Sequence, residues 1–273
     1  FRVPLFALLA LAAVALSYTR ANDNHFVRTF PGTQSRVDAR PQLRTYLGAW
    51  IRERRDEIMA SEAYPVVFVA AAGGGARAAY WTAGALGDMH DACPRVARHV
   101  AAASGVSGGS LGLLLYLKTA GPTVPAGTAP ACAALPWKEN GDPGAARARA
   151  RAVLGEDFIA PTLATMLFPD LTHQLILVGS WLGFAFPAHF TDRGVTLERA
   201  WEQAYAKDPT GAGLEQGLLA SLPAGVHPMV LLNGTAVETG KRLVTSNIRV
   251  TPRFFADAVD ILHDSSRLSR YPL

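Results

Sequence analysis

His99-Val100-Ala101-Ala102-Ala103 reads as a strand of small apolar residues, and it runs straight into Ser104-Gly105-Val106-Ser107-Gly108-Gly109. Leu111, Leu113, Leu114, Leu115 and Leu117 come next, dense enough to predict a thoroughly buried helix. A strand that ends in G-x-S-x-G and continues into a helix is the setting in which that pentapeptide carries chemistry. Glycines on both sides allow a cramped turn that lifts the serine out of the sheet. The helix start aims N–H groups and a positive dipole end toward it. Gly105-Val106-Ser107-Gly108-Gly109 is therefore either a nucleophile turn or a plain Gly/Ser-rich connection, and five residues alone do not separate the two.

A second strand-to-helix junction lies about 30 residues upstream. Val66-Val67-Phe68-Val69 has the β-branched and aromatic content expected of a buried strand, and it ends in Ala70 to Ala72 and a glycine cluster. Arg77 to His90 contains no proline, which is compatible with a helix. Strand, helix, strand, helix predicts an α/β sheet with parallel neighbours. Gly73, Gly74 and Gly75 expose backbone N–H groups with no side chain in the way, as an oxyanion hole requires. Arg77 stands where its guanidinium would grip a phosphate or carboxylate, or simply form a surface salt bridge. Gly73, Gly75 and Ala78 also fit the dinucleotide pattern, but the strand after them ends in no acid to hold a ribose. A phosphate loop would need Lys-Ser or Lys-Thr after the glycines, and none stands there. Nucleotide binding falls away.

The two motifs together, A-A-A-G-G-G-A-R-A-A-Y-W-T-A-G-A-L at residues 70–86 and A-A-S-G-V-S-G-G-S at residues 102–110, resemble the paired motifs of the patatin-like and cytosolic phospholipases A. Leu232-Asn233-Gly234-Thr235 through Glu238-Thr239-Gly240-Lys241-Arg242 resembles a further core segment of that family, so the similarity runs from about Tyr64 to the end. The resemblance implies a three-layer α/β/α fold with a mostly parallel central sheet. It also implies a Ser-Asp dyad without a catalytic histidine, and hydrolysis of lipid esters with no metal or organic cofactor. By position it makes Ser107 the nucleophile, Gly73, Gly74, Gly75 and the N–H of Gly108 the oxyanion donors, and Arg77 an anion-binding partner. The sequence departs from the family in one respect. The family's acid belongs to an Asp-Gly-Gly or Asp-Gly-Ala segment, and this chain has no Asp-Gly pair. Asp257, Asp260 and Asp264 come before the expected place, in what reads as helix or loop. The expectation is that the gene continues beyond Leu273 and supplies the acid there. Two alternatives stay open: a Ser-His-Asp esterase using His227 or His263, and a membrane-associated lipid-binding protein of the same fold without turnover. Asn233-Gly234-Thr235 matches a glycosylation sequon, but its seat beside a buried strand marks that as coincidence.

The remaining sequence sets the surroundings. The 273 residues, 49% hydrophobic and 18% charged, are enough for one substantial core and an appendage. A net charge of +4 from scattered arginines gives mild attraction to anionic surfaces and does not indicate nucleic-acid binding. Cys93 and Cys132 show no metal spacing and read as free thiols. The chain starts with Phe1, and the apolar run from Val3 to Tyr18 reads as an N-terminal membrane helix, or the end of one, over residues 1–19, with the h-region of a signal peptide as the alternative. Arg20, Arg28 and Arg36 would leave the rest of the chain on the cytoplasmic side. Residues 20–62 read as a Pro/Gly-punctuated linker and an amphipathic helix, with Leu43, Tyr46, Leu47, Trp50, Ile51 and Ile58 on its apolar face. Residues 63–273 read as an incomplete catalytic domain. Within it, residues 121–149 read as an excursion, and the apolar stretch Leu175–Phe186, interrupted by Gly179 and Gly183, reads as a lid or lipid-facing surface in preference to a second membrane span. Leu197–Tyr205 is a helix, Met229–Leu232 a strand, and Thr235–Thr245 a hairpin turning at Thr239-Gly240.

Overall fold

The computed structural model describes residues 33–119, 144–170, 192–207, 218–221, 224, 227–237 and 239–263, with a few among the first fifteen. The expected membrane helix, the tip of the excursion and the stretch Leu175–Phe186 lie wholly or largely outside the described residues. Among the described residues no helix is long and apolar enough to cross a membrane. The chain divides into two compact units: residues 30–156 with 204–272, and residues 1–29 with 157–203 and 273.

The larger unit is mixed α/β. In chain order it carries α1 (Thr33–Asp38), α2 (Leu43–Glu53), α3 (Arg55–Met59), β1 (Val67–Ala71), α4 (Gly75–Ala92), α5 (Val96–His99), β2 (Val100–Val106), α6 (Gly108–Thr119) and α7 (Ala145–Leu154). In the smaller unit α8 (Ile159–Thr165) continues into a π-turn at Met166–Asp170, and α9 (Arg193–Ala206) opens there. The Asp157 carboxylate accepts from the N–H groups of Ile159 and Ala160, both at 2.9 Å, which caps the start of α8. Back in the larger unit come α10 (Leu218–Ser221), β3 (Met229–Thr235), β4 (Arg242–Ser246) and β5 (Ala258–Asp260). The five strands form one sheet in the order β1-β2-β3-β4-β5. All neighbours are parallel except β3 and β4, the hairpin, whose turn needs Gly240 at φ 65°.

The sheet is covered by alternation. On β3, Met229 and Leu231 join a cluster with Tyr46 and Trp50 of α2, Ala101 and Ile248. Val230 and Leu232, pointing the other way as the pleat demands, join Tyr116, Leu117 and Leu114 of α6. The Tyr46 hydroxyl clamps α2 to two strands at once: it donates to the Ala101 carbonyl at 2.9 Å and accepts from the Met229 N–H at 2.8 Å. Burial pushes that phenol up to about 12, so its proton stays in place for these bonds.

Several sequence expectations need correction. The amphipathic helix expected to run on to Ile58 breaks at Arg54. The helical pattern puts that residue on the solvent side, yet it is buried, stacked 4.4 Å over the Trp50 ring and donating to the Arg98 carbonyl at 2.7 Å. Ile51, placed on the apolar face and upstream of the break, is 52% exposed. The linker contains α1, and Arg40 just after it is a buried core cation. The first strand is not buried on both faces: it is the edge strand, and Phe68 is 69% exposed. Asp260, expected in helix or loop, ends a strand. Cys93, just past the end of α4, is disulfide-bonded rather than a free thiol; the chain's other cysteine, Cys132, lies outside the described residues.

Candidate active site

The site begins with how closely the backbones at the two strand-to-helix junctions approach. Helices α4 and α6 cross through small residues. A Cβ on Gly112 would come within 2.5 Å of the Ala79 carbonyl oxygen, so the contact tolerates only glycine there. That crossing brings the two glycine-rich turns together. A Cβ on Gly108 would overlap the Gly75 carbonyl, and one on Gly109 would stand 2.5 Å from the carbonyl oxygens of both Ala71 and Ala72. A Cβ on Gly105 would stand 2.7 Å from the Cα of Ser110. All three glycines of the Gly105-Val106-Ser107-Gly108-Gly109 run are thus fixed by packing rather than by loop flexibility.

Ser107 sits at the centre of this contact, between the end of β2 and the start of α6. Its φ is 51°; among the described residues no other non-glycine side chain has a positive φ. A left-handed conformation costs an L-residue roughly 1–2 kcal/mol, so it persists only where surrounding structure imposes it. The first turn of α6 does so from one side: the Ser107 carbonyl accepts from the N–H groups of Ser110 at 2.9 Å and Leu111 at 3.3 Å. The consequence is an exposed serine at the strand end.

The glycine cluster lies beside it. A Cβ built on Gly73 would be 3.5 Å from the Ser107 Cβ, so the two backbones are in van der Waals contact there. Gly74 and Gly75 have φ of 148° and 62°, conformations that leave α4 starting next to the serine. Arg77, in the first turn of α4, is exposed. It lines an open cavity of about 720 Å³ with Gly74, Ala76, Ala78, Tyr80, Trp81 and Leu154. The walls are largely apolar and Trp81 is 74% exposed. Ser107, Gly73–Gly75, Gly108 and Arg77, singled out from sequence, therefore share one rim of the larger unit. Tyr80 and Trp81 were not singled out, and nothing in the sequence pattern sets them apart from other helix residues.

The expected acids and bases are not brought to that rim. Strand register shows why. Val106 is level with Asn233, and His227 lies six residues before Asn233, so it is near the opposite edge of the sheet, on the order of 20 Å from the serine. Burial lowers its pKa, which keeps it neutral. Asp260 is level with Val244, Asn233 and Val106, but on β5, three strand spacings from β2, which is about 14 Å. Its carboxylate is already engaged. It pairs with Arg40 at 3.0 Å, with side-chain exposures of 4% and 2%, and it accepts from the Val250 N–H at 3.0 Å. His263 follows Asp260 and donates its backbone N–H to the same carboxylate at 3.3 Å. Asp257 is exposed and pairs with Arg242. Asp264 lies outside the described residues. Among the described residues no cluster of His, Cys, Asp and Glu is arranged to hold a metal ion.

Compared with protein-family models, with curated proteins and with solved structures, the chain matches none. The site is therefore argued from its own geometry.

Proposed function

We propose that this chain carries the nucleophile half of a serine-dependent lipid acyl hydrolase with the three-layer α/β/α patatin-like architecture, and that Ser107 is the nucleophile. The observation that carries the reading is the strained φ of 51° at Ser107, held between two glycine turns whose backbones touch. Strain of that kind in an exposed serine at a strand end has a use in catalysis, where the Oγ must stand clear of the sheet. A structural Gly/Ser turn would relax it.

In the proposed mechanism a carboxylate that the described residues do not bring to the rim takes the Ser107 proton, and the Oγ attacks the acyl carbonyl carbon. The N–H groups of Gly73–Gly75 and Gly108 receive the oxyanion that forms. The intermediate collapses, the alcohol or lysolipid leaves with a proton, and water then attacks the acyl-serine to release the fatty acid. No metal or organic cofactor takes part. The partner is a membrane lipid; neither nucleic acid nor nucleotide is involved. Arg77 would pair with a head-group phosphate, with the apolar cavity beside it facing the lipid. Arg77→Ala should then lose its preference for phospholipid over neutral ester in a hydrolysis assay, and an unchanged preference removes that role.

The engagement of Asp260 and the distance of His227 weigh against a Ser-His-Asp esterase assembled within the described residues. They also favour, as second reading, a lipid-binding protein without turnover. The disulfide at Cys93 argues for an oxidising compartment and against the cytoplasmic side that the N-terminal arginines favour. A fluorophosphonate probe, which reacts covalently only with an activated serine, separates the readings when applied to the gene product in its native membranes. Labelling that vanishes in Ser107→Ala is the expected result. A folded protein that does not label at all is a binder, not a hydrolase.

A further inference from the structure

Asn233 heads a chance sequon, but its side chain does something specific. It stands on β3 directly opposite Val106, the residue before the candidate nucleophile. Its Nδ2 donates to the Ser104 Oγ at 2.9 Å and to the Gly105 carbonyl at 2.9 Å, with the Leu231 carbonyl of its own strand at 3.2 Å. Carbonyl oxygens only accept, so the amide orientation follows from chemistry: the NH2 must face them, and the amide oxygen faces away. Its two protons are shared among these three acceptors, the two shorter bonds going to the residues that lead into the turn, which also leaves the Nδ2 unavailable for a glycan.

We infer that Asn233 is a positioning residue for Ser107: its side-chain amide locks the end of β2 to β3, so that the strained turn is held in its raised geometry. The inference rests on the reading of Ser107 as nucleophile. The physical case is a division of labour. From the helix side, the Ser107 carbonyl is held by the N–H groups of Ser110 and Leu111. From the loop side, Gly108 and Gly109 are pressed on Gly75, Ala71 and Ala72. From the strand side, the backbone ladder pairs Gly105 with Leu232 and Val106 with Asn233, and the Asn233 amide adds a side-chain tether on Ser104 and Gly105. A φ of 51° at Ser107 pulls against that strand end. Without the amide, Gly105 and Ser104 lose a donor and the turn gains freedom to relax toward negative φ. Displacements of about 1 Å at a reacting atom cost up to 100-fold in rate.

The test is the rate of fluorophosphonate labelling of Ser107 in wild type, Asn233→Ala, Asn233→Asp, Ser104→Ala and the Asn233→Ala/Ser104→Ala double variant, with circular dichroism as the check on folding. Asn233→Ala should label at least roughly tenfold more slowly while its circular dichroism matches wild type. Ser104→Ala, which keeps the bond to Gly105, should slow labelling less, and the double variant should be no slower than Asn233→Ala because both act through one link. Asn233→Asp gives the readout that a merely structural role would not move. An ionised carboxylate cannot donate to the Gly105 carbonyl and a protonated one can, so the ratio of its rate to the wild-type rate should climb as pH falls toward 5. A wild-type rate in Asn233→Ala, or an Asn233→Asp ratio flat with pH, overturns the inference while leaving the nucleophile intact. If Asn233→Ala does not fold, the Asn233→Asp ratio and Ser104→Ala decide alone. Absence of labelling in wild type overturns the nucleophile reading first, and this inference with it.

Discussion

The two ends of the sheet handle polar chemistry in opposite ways. At the β1–β2–β3 end, three parallel strands stop at glycine turns, backbones touch, and the polar group of interest, Ser107, is exposed and conformationally strained. At the β4–β5 end, Arg40 and Asp260 form a pair shielded from water. Arg40 donates to the carbonyls of Val37, Ser246 and Ile248 at 3.0 to 3.2 Å as well as to Asp260. Both ends are rich in polar groups and both lie on the same sheet. The difference teaches that a polar residue is available for chemistry when its surroundings hold the backbone and leave the side chain unspent. A group spent on ion pairing and backbone hydrogen bonds is structure.

The sharpest way to break that contrast is Asp260→Asn. Removing one charge leaves Arg40 buried and uncompensated, which should cost about 3–5 kcal/mol of stability in chemical denaturation. Labelling of Ser107 per folded molecule should stay within about twofold of wild type, since Asp260 stands three strands from the serine. Retained fold with lost labelling would make Asp260 the dyad acid after all and would erase the distinction between the two ends.

Gly108→Ala probes the other end. The added methyl has no room against the Gly75 carbonyl, which is backbone and cannot rotate aside. The expected loss is about 3 kcal/mol, the upper part of the range for overpacking, together with loss of labelling because the two turns must separate. A variant as stable as wild type would mean that the turns are not in contact in solution.

How much of the fold and site was legible in the sequence obeys the same division. The elbow could be read because its requirements are local: glycines where no Cβ fits, a strand before and a helix after, all within a dozen residues. The parallel core was readable for the same reason, from Val66 to Leu117. Arg40 and Asp260 are 220 residues apart in sequence, and nothing near either announces the other. Arg54 misled because helical periodicity assumes an unbroken helix, and its burial over Trp50 is what ends α2. Phe68 misled because composition reports β-propensity and not whether a strand is central or at the edge. The bonds of Asn233 were hidden because they depend on strand register, which pairing alone sets.

The smallest expected effect is also the most direct test of strain at the serine. Ser107→Gly removes the Cβ that makes a φ of 51° costly and keeps the backbone bonds that the Ser107 carbonyl accepts. The relieved strain of roughly 1 kcal/mol is partly offset by the greater freedom of glycine in the unfolded chain, leaving a net gain of about 0.5 kcal/mol. Ser107→Ala keeps the Cβ and should show no such gain, although both variants lose labelling. The pair therefore separates backbone strain from loss of the hydroxyl, and the difference between their denaturation midpoints is the measurement. A glycine variant less stable than the alanine variant would mean that the turn at Ser107 is relaxed. The exposed end of the sheet would then be an ordinary loop, and the contrast with the Arg40–Asp260 end would rest on burial alone.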